Sequence, residues 1–177
     1  FNQKEWRAED ELTQDSRWDG YEVPPTSNAN YGWILNIVSK LSQNGVAGFL
    51  LANGALSDDG TELKIRKQLI DNILVEAIII LPRNLFYTTD ISVTLWILNK
   101  NKASDRKDKV LMIDGSNFWE LLKKSRGDKR RQMNEEHRAK IVEAFVNGTE
   151  NEYCKVFSKY HFYYNKQKIG LFNVDSD

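Results

Sequence analysis

Apolar residues in this chain fall into short, separated groups whose spacing switches between helical and extended. Tyr31, Ile34, Leu35, Val38 and Leu41 recur at the three- and four-residue steps of one helix face. Ser27 or Asn28 can cap that helix and Gly45 can stop it. Val46–Leu51 comes next, apolar on both faces and bounded by Gly45 and Asn53-Gly54, which predicts a buried parallel strand. After the turn Ser57-Asp58-Asp59-Gly60, Leu63, Ile65, Leu69 and Ile70 predict a second helix over 61–71. Ala77–Leu81 is a second buried strand, stopped by Pro82; Ile91–Asn99 is a third and Val110–Ile113 a short fourth. A strand-helix-strand unit closes right-handed, so the first two strands run parallel. About nine residues link the second strand to the third, too few for a crossover, so the third pairs antiparallel. The pattern is that of an α/β sheet with an antiparallel strand near its edge.

The flanks read differently. Residues 1–27 show no sustained period and end in Val23-Pro24-Pro25-Thr26-Ser27, where each Pro lacks an N–H and restricts the residue before it. They read as a long loop. Lys123–Gln132 has no apolar residue and reads as a basic, mobile loop. Asn134 opens a helix carrying Ile141, Val142, Phe145 and Val146, closed by Asn147-Gly148. The tail is aromatic and polar, with Tyr153, Phe157, Tyr160, Phe162, Tyr163 and Tyr164. Three segments result: a loop over 1–30, the α/β body over 31–114, and a basic loop, helix and aromatic extension over 115–177.

Composition narrows the function classes. At 177 residues the chain is one domain or part of a larger one, and 41% hydrophobic with 28% charged residues fits a packed core, not disorder. The longest apolar runs, Gly45–Ala52 and Ala77–Pro82, fall far below the roughly 20 residues of a membrane-spanning helix. Lys plus Arg and Asp plus Glu are each 25, which argues against binding through bulk positive charge. The zero total hides a polarity. Residues 1–30 carry seven acids against three bases, whereas residues 123–140 carry eight bases against three acids. Cys154 is the single cysteine, so no internal disulfide forms, which fits a reducing, cytoplasmic compartment. His137 lies on a charged helix face and His161 sits among aromatics with no Cys or acid cluster at ligand spacing, and no metal site is expected. Neither a Gly-x-Gly-x-x-Gly nor a Gly-x4-Gly-Lys-Ser/Thr motif occurs.

One resemblance is specific as an ensemble. Val23-Pro24-Pro25-Thr26-Ser27-Asn28-Ala29-Asn30-Tyr31, the strand ending at Asn53-Gly54, the Lys64-Ile65-Arg66-Lys67 helix and the run Ile80-Leu81-Pro82-Arg83-Asn84-Leu85-Phe86-Tyr87-Thr88-Thr89-Asp90-Ile91 carry it. It continues through Leu95–Lys102, Val110–Ser116 and the 134–148 helix. Over about 1–150 the chain resembles the modification subunit of type I restriction-modification systems, a family of adenine-N6 DNA methyltransferases. The resemblance implies the second half of a Rossmann-like methyltransferase sheet. It implies methyl transfer from S-adenosylmethionine to adenine N6 in DNA, with a specificity subunit, a restriction subunit and DNA as partners. Phe1-Asn2-Gln3-Lys4-Glu5-Trp6 looks like the last residue of the family's Asn-Pro-Pro-Phe signature together with the five residues after it. On that alignment the Asn-Pro-Pro acceptors and the glycine-rich cofactor loop lie upstream. The chain by itself is then expected to bind no cofactor and to be inactive.

The implied roles come from the chemistry. An adenine amine is a poor nucleophile whose base must be flipped out and held by stacking. An aromatic ring supplies a π face worth about 1–3 kcal/mol per base. The resemblance assigns Phe1 to that stacking and Phe86, in the loop between the last two sheet strands, to the base pocket. Phe86 also fits a plug at a strand end. Lys123, Lys124, Arg126, Lys129, Arg130 and Arg131 fit either a solvated surface or one that contacts DNA phosphates without reading sequence. Outside the resemblance, the residues also fit a non-catalytic module that binds DNA or a partner subunit.

Overall fold

The computed structural model describes residues 3–163. In chain order the elements are α1 (Asn30–Lys40), β1 (Val46–Ala52), α2 (Thr61–Asp71), β2 (Val75–Ile80), β3 (Val93–Asn99), β4 (Lys109–Asp114), β5 (Glu120–Arg126), β6 (Lys129–Gln132), α3 (Glu135–Asn147) and β7 (Cys154–Ser158). Five strands form one sheet in the order β1-β3-β2-β4-β7, and β5 and β6 form a separate hairpin. β3 runs antiparallel between β1 and β2, with Val46 opposite Asn99 and Ile78 opposite Trp96. β2 and β4 are parallel, and β7 is antiparallel to β4. The three strands expected to form one sheet do so, with the third antiparallel to and between the other two.

Strand alternation divides the core into two layers. Ile78, Trp96, Leu98 and Val110 pack against Ile34, Leu35 and Val38 of α1 and Ile65 and Leu69 of α2. On the opposite face Ala77, Ile79, Leu111 and Ile113 meet Ile141 and Ala144 of α3. Helices on both faces of a sheet make a three-layer α/β fold.

Three expectations need correction. β1 is not buried on both faces: it is an edge strand with Val46 59% exposed, because its outer side meets no other strand among the described residues. Helix α1 begins after Ala29, which makes no side-chain cap; the Asn28 side chain accepts from the Asn30 N–H at 2.9 Å, one position early. Lys123–Gln132 is not a mobile loop. It is most of the β5–β6 hairpin, turned at Gly127-Asp128. The aromatic stretch after α3 also contributes a strand that periodicity did not reveal, β7, which buries Cys154 completely.

Candidate nucleic-acid interface

In open α/β sheets, ligands bind at the carboxyl ends of the parallel strands. Here those ends are Ala52, Ile80 and Asp114, brought level by the pairings Ala52–Val93, Ile80–Thr94 and Ile80–Asp114. Four segments converge there: the start of α1, residues 53–60, the loop 81–92, and the hairpin after β4.

The connection after β1 is closed on itself. Tyr31 Oη donates to the Ala55 carbonyl at 2.5 Å, and Arg66 Nη1 donates to Tyr31 Oη at 3.0 Å and to the same carbonyl at 3.2 Å. Arg66 also bonds the Asp58 carbonyl. Burial pushes the Tyr31 hydroxyl up to about 12, partly opposed by Arg66, so it remains a donor at neutral pH. S-adenosylmethionine needs a glycine-rich strand-to-helix turn with room for its ligand. This turn is instead filled by buried Ala55 and its hydrogen bonds. That turn does not fit the cofactor, and no described residue is assigned to it.

The N-terminal segment is tied to the Pro-Pro-Thr-Ser element. Ala29 N donates to Gln3 O at 2.9 Å, Glu5 N to Thr26 O at 3.0 Å and Trp6 Nε1 to Pro25 O at 2.8 Å. The Trp6 ring lies over Gly32 and meets Trp18 edge-on at 6.1 Å. Gln3 is therefore anchored at the start of α1. Phe1, assigned to base stacking by resemblance, lies outside the described residues.

Phe86 sits half-buried in the loop after β2. Arg83 closes the base of that loop with a 2.8 Å ion pair to Asp90, while the Asn84 N–H donates to the Asp90 carbonyl at 3.2 Å. The hairpin docks directly on it. The Asn84 carbonyl accepts from Arg130 N at 3.0 Å and Arg131 N at 3.1 Å; Asp128 N donates to Tyr87 O at 3.1 Å. The Asn84 side-chain amide donates to the Asp128 carbonyl at 3.1 Å. Sequence reasoning named Phe86 and the basic run separately; the structure joins the loop that carries Phe86 to the hairpin through Asn84 and Tyr87.

The six bases differ in state. Lys123, Lys124, Arg126 and Arg130 are exposed, whereas Lys129 and Arg131 are half-buried. Lys129 Nζ lies 5.1 Å from the Tyr87 ring centre, and the Arg131 guanidinium lies 3.7 Å from that of Trp119, cation–π contacts that hold both charges in place. Sequence reasoning missed Asn84, Tyr87 and Trp119. A Gly-Asp pair between two strand-length runs was the available signal for the hairpin. His137 holds no ligand position: it completes the capping box of α3 with Asn134 and stacks on Phe118 at 6.2 Å. No group of three or more His, Cys, Asp or Glu able to hold a metal occurs among the described residues. None of the described helices is long and apolar enough to cross a membrane.

Comparison with known proteins agrees with this geometry. The profile of the N-6 DNA methylase family matches residues 1–166. The chain is 41% identical over 151 residues to the type I restriction enzyme MjaIX methylase subunit of Methanocaldococcus jannaschii, covering 82% of this chain and 26% of that protein. It is 45% identical over 115 residues to the HindI methylase subunit of Haemophilus influenzae, covering 64% of this chain and 25% of that protein. The crystal structure of the type I restriction-modification methyltransferase subunit from Streptococcus thermophilus superposes with a TM-score of 0.80 at 28% identity, over 90% of this chain and 32% of that one. The chain thus spans about a quarter of the length of the curated relatives it matches. On sequence and fold together, the chain belongs to the N-6 DNA methylase family as a homologue of type I restriction-modification methyltransferase subunits.

Proposed function

We infer that the chain is the later part of the catalytic domain of a type I modification subunit, and that the whole subunit methylates adenine N6 in duplex DNA using S-adenosylmethionine. Its partners are DNA, a specificity subunit and a restriction subunit, in the cytoplasm. The observation that carries this reading is the docking of the basic hairpin on the Phe86 loop at the carboxyl end of the sheet. What supports the reading is that the loop carrying Phe86 lies beside an array of cations at the carboxyl end of the sheet, since holding an extruded base calls on an aromatic ring and its flanking phosphates on cations. Within this reading Phe86 lines the base pocket, Phe1 stacks on the flipped adenine, and Lys123, Lys124, Arg126, Lys129, Arg130 and Arg131 contact phosphates. The cofactor and the Asn-Pro-Pro acceptors belong to the part of the subunit that precedes this one.

The open edge of β1 supports the same view. Beside it the exposed ring of Trp33 borders a cleft of about 250 Å³ lined by Asn30, Ile34, Phe49 and Leu51. In this reading a strand from the preceding half of the sheet pairs there.

The test uses the full-length subunit assembled with its specificity subunit. Duplex DNA incubated with S-adenosylmethionine is digested, and N6-methyladenine is quantified by mass spectrometry. The wild type is expected to form it. Phe86→Ala is expected to lower kcat about tenfold or more, the equivalent of one lost stacking contact, with duplex Kd nearly unchanged. DNA binding with no methyladenine would replace the enzyme reading with that of a non-catalytic binding module.

A further inference from the structure

Joining the hairpin to the loop creates something neither has alone. Four hydrogen bonds run between them: Asp128 N to Tyr87 O, Arg130 N and Arg131 N to Asn84 O, and the Asn84 amide to Asp128 O. Asn84 makes three of these through its carbonyl and side chain while its N–H donates to Asp90 within the loop, and it does so at φ +60°, a left-handed conformation that Asn tolerates better than most residues. Gly127 is also left-handed, and a Cβ there would overlap the Tyr87 carbonyl oxygen. The hairpin therefore seats on the loop only with glycine at its tip. Alternation along β6 places residues 129 and 131 on one face, and both charges of that face rest on aromatic rings.

We propose that the hairpin is the positioning element of the base pocket, with Asn84 and Gly127 as its latch, and that Lys129 and Arg131 take the phosphates flanking the extruded adenine. This rests on the methyltransferase reading above. The physical reason is preorganisation. An extruded base must be held against restacking, which costs a few kcal/mol. A loop free to move would lose ordering entropy each time it met the base. A loop pinned by four hydrogen bonds has lost that entropy on folding. Lys129 and Arg131 are ordered in the same way, whereas the exposed Lys123, Lys124, Arg126 and Arg130 supply longer-range attraction to the duplex.

The experiment compares wild type with Gly127→Ala in the full-length subunit assembled with its specificity subunit. Methylation is measured on a duplex bearing the target adenine, and base extrusion on the same duplex with 2-aminopurine in its place. Wild type is expected to raise 2-aminopurine fluorescence on binding. Gly127→Ala is expected to reduce that rise, lower kcat roughly tenfold to a hundredfold, and speed amide exchange in 82–92 and 126–132. The slope of log K against log salt is expected to stay within about one unit of wild type, because no charge is lost. Asn84→Asp, which replaces the amide donor with a carboxylate oxygen facing the Asp128 carbonyl, is expected to shift kcat and fluorescence in the same direction. Faster exchange with wild-type kcat and fluorescence would overturn the proposal, since the latch would then be packing only. Loss of duplex affinity as large as the loss of rate would overturn it too, making the hairpin a plain DNA contact. A wild-type enzyme that forms no methyladenine would defeat the methyltransferase reading itself, which the variants cannot do.

Discussion

Lys102 shows how a single residue can tie stability to pH. Its Nζ donates to the Val75 carbonyl at 2.9 Å and the Lys109 carbonyl at 2.5 Å, so the ammonium is drawn into half-buried surroundings. Burial lowers its pKa to about 8; Glu76 and Asp108 pull it upward, and Lys159 pushes it down. In the unfolded chain the value returns to about 10.4. Between these two values the unfolded state binds more protons, so the contribution of this group to stability rises with pH. Below about pH 8 the charged form is buried and its cost is complete. Relative to Lys102→Met, the unfolding midpoint of the full-length subunit is expected to climb from about pH 8 to about pH 10. Thermal scans of both proteins across that range check this, and parallel curves would refute it. Cys154 behaves as its isolated place in the sequence suggests: it is fully buried and burial raises its thiol pKa, which suits a core residue and not a nucleophile.

Among the elements, α3 was legible in detail and the hairpin was not. Asn134 accepts from the His137 N–H at 2.9 Å and Gly148 closes the helix, as the local residue types foretell. What α3 packs on could not be read from its own residues. Gly115, just past β4, donates to the Ile80 carbonyl at 2.9 Å, and a Cβ there would stand 2.9 Å from Ile141 Cδ1 and 2.9 Å from Ile80 O. That close approach lets α3 sit against the sheet end beside the loop after β2. Gly115→Ala is expected to cost about 1–3 kcal/mol by overpacking. Denaturant midpoints of the two proteins measure it; equal midpoints would mean that Ile141 moves aside freely. The β5–β6 hairpin is carried by charged residues whose strands pair with each other and then dock on another loop. Its residues carry no apolar alternation, since one face rests on Tyr87 and Trp119 through cations and the other faces water.

For the whole molecule, charge polarity becomes a spatial arrangement. The acids of the first thirty residues lie in a segment tied to Pro25, Thr26 and Ala29, just before α1, through Trp6, Glu5 and Gln3, while the bases gather on the hairpin after β4. Phosphate contacts hold a duplex without reading it, and each neutralised phosphate adds close to one unit of salt slope. Replacing Arg126, Arg130 and Arg131 together with Gln in the assembled enzyme is expected to flatten that slope by up to about three units. Sites of methylation are expected to stay the same. Binding titrations at several salt concentrations, with sequencing of methylated sites, test both halves; an unmoved slope would leave the hairpin charges as solvated surface.

The amino-acid sequence by itself determined the helices, the core strands and the antiparallel direction of β3, because these depend on local period and the length of one connection; the place of β3 between β1 and β2 is a matter of the whole sheet. It also carried the family, through the residue runs between Val23 and Gly148 that resemble modification subunits. Tertiary structure alone decided three things. β1 became an exposed edge because strand neighbours are set by the whole sheet, not by the hydrophobicity of one segment. β7 joined β4 through backbone pairing, which its polar and aromatic residues do not advertise. The candidate site arose when Tyr87 and Asp128, 41 positions apart, came into contact, because hydrogen bonds between distant main chains leave no periodic trace in sequence.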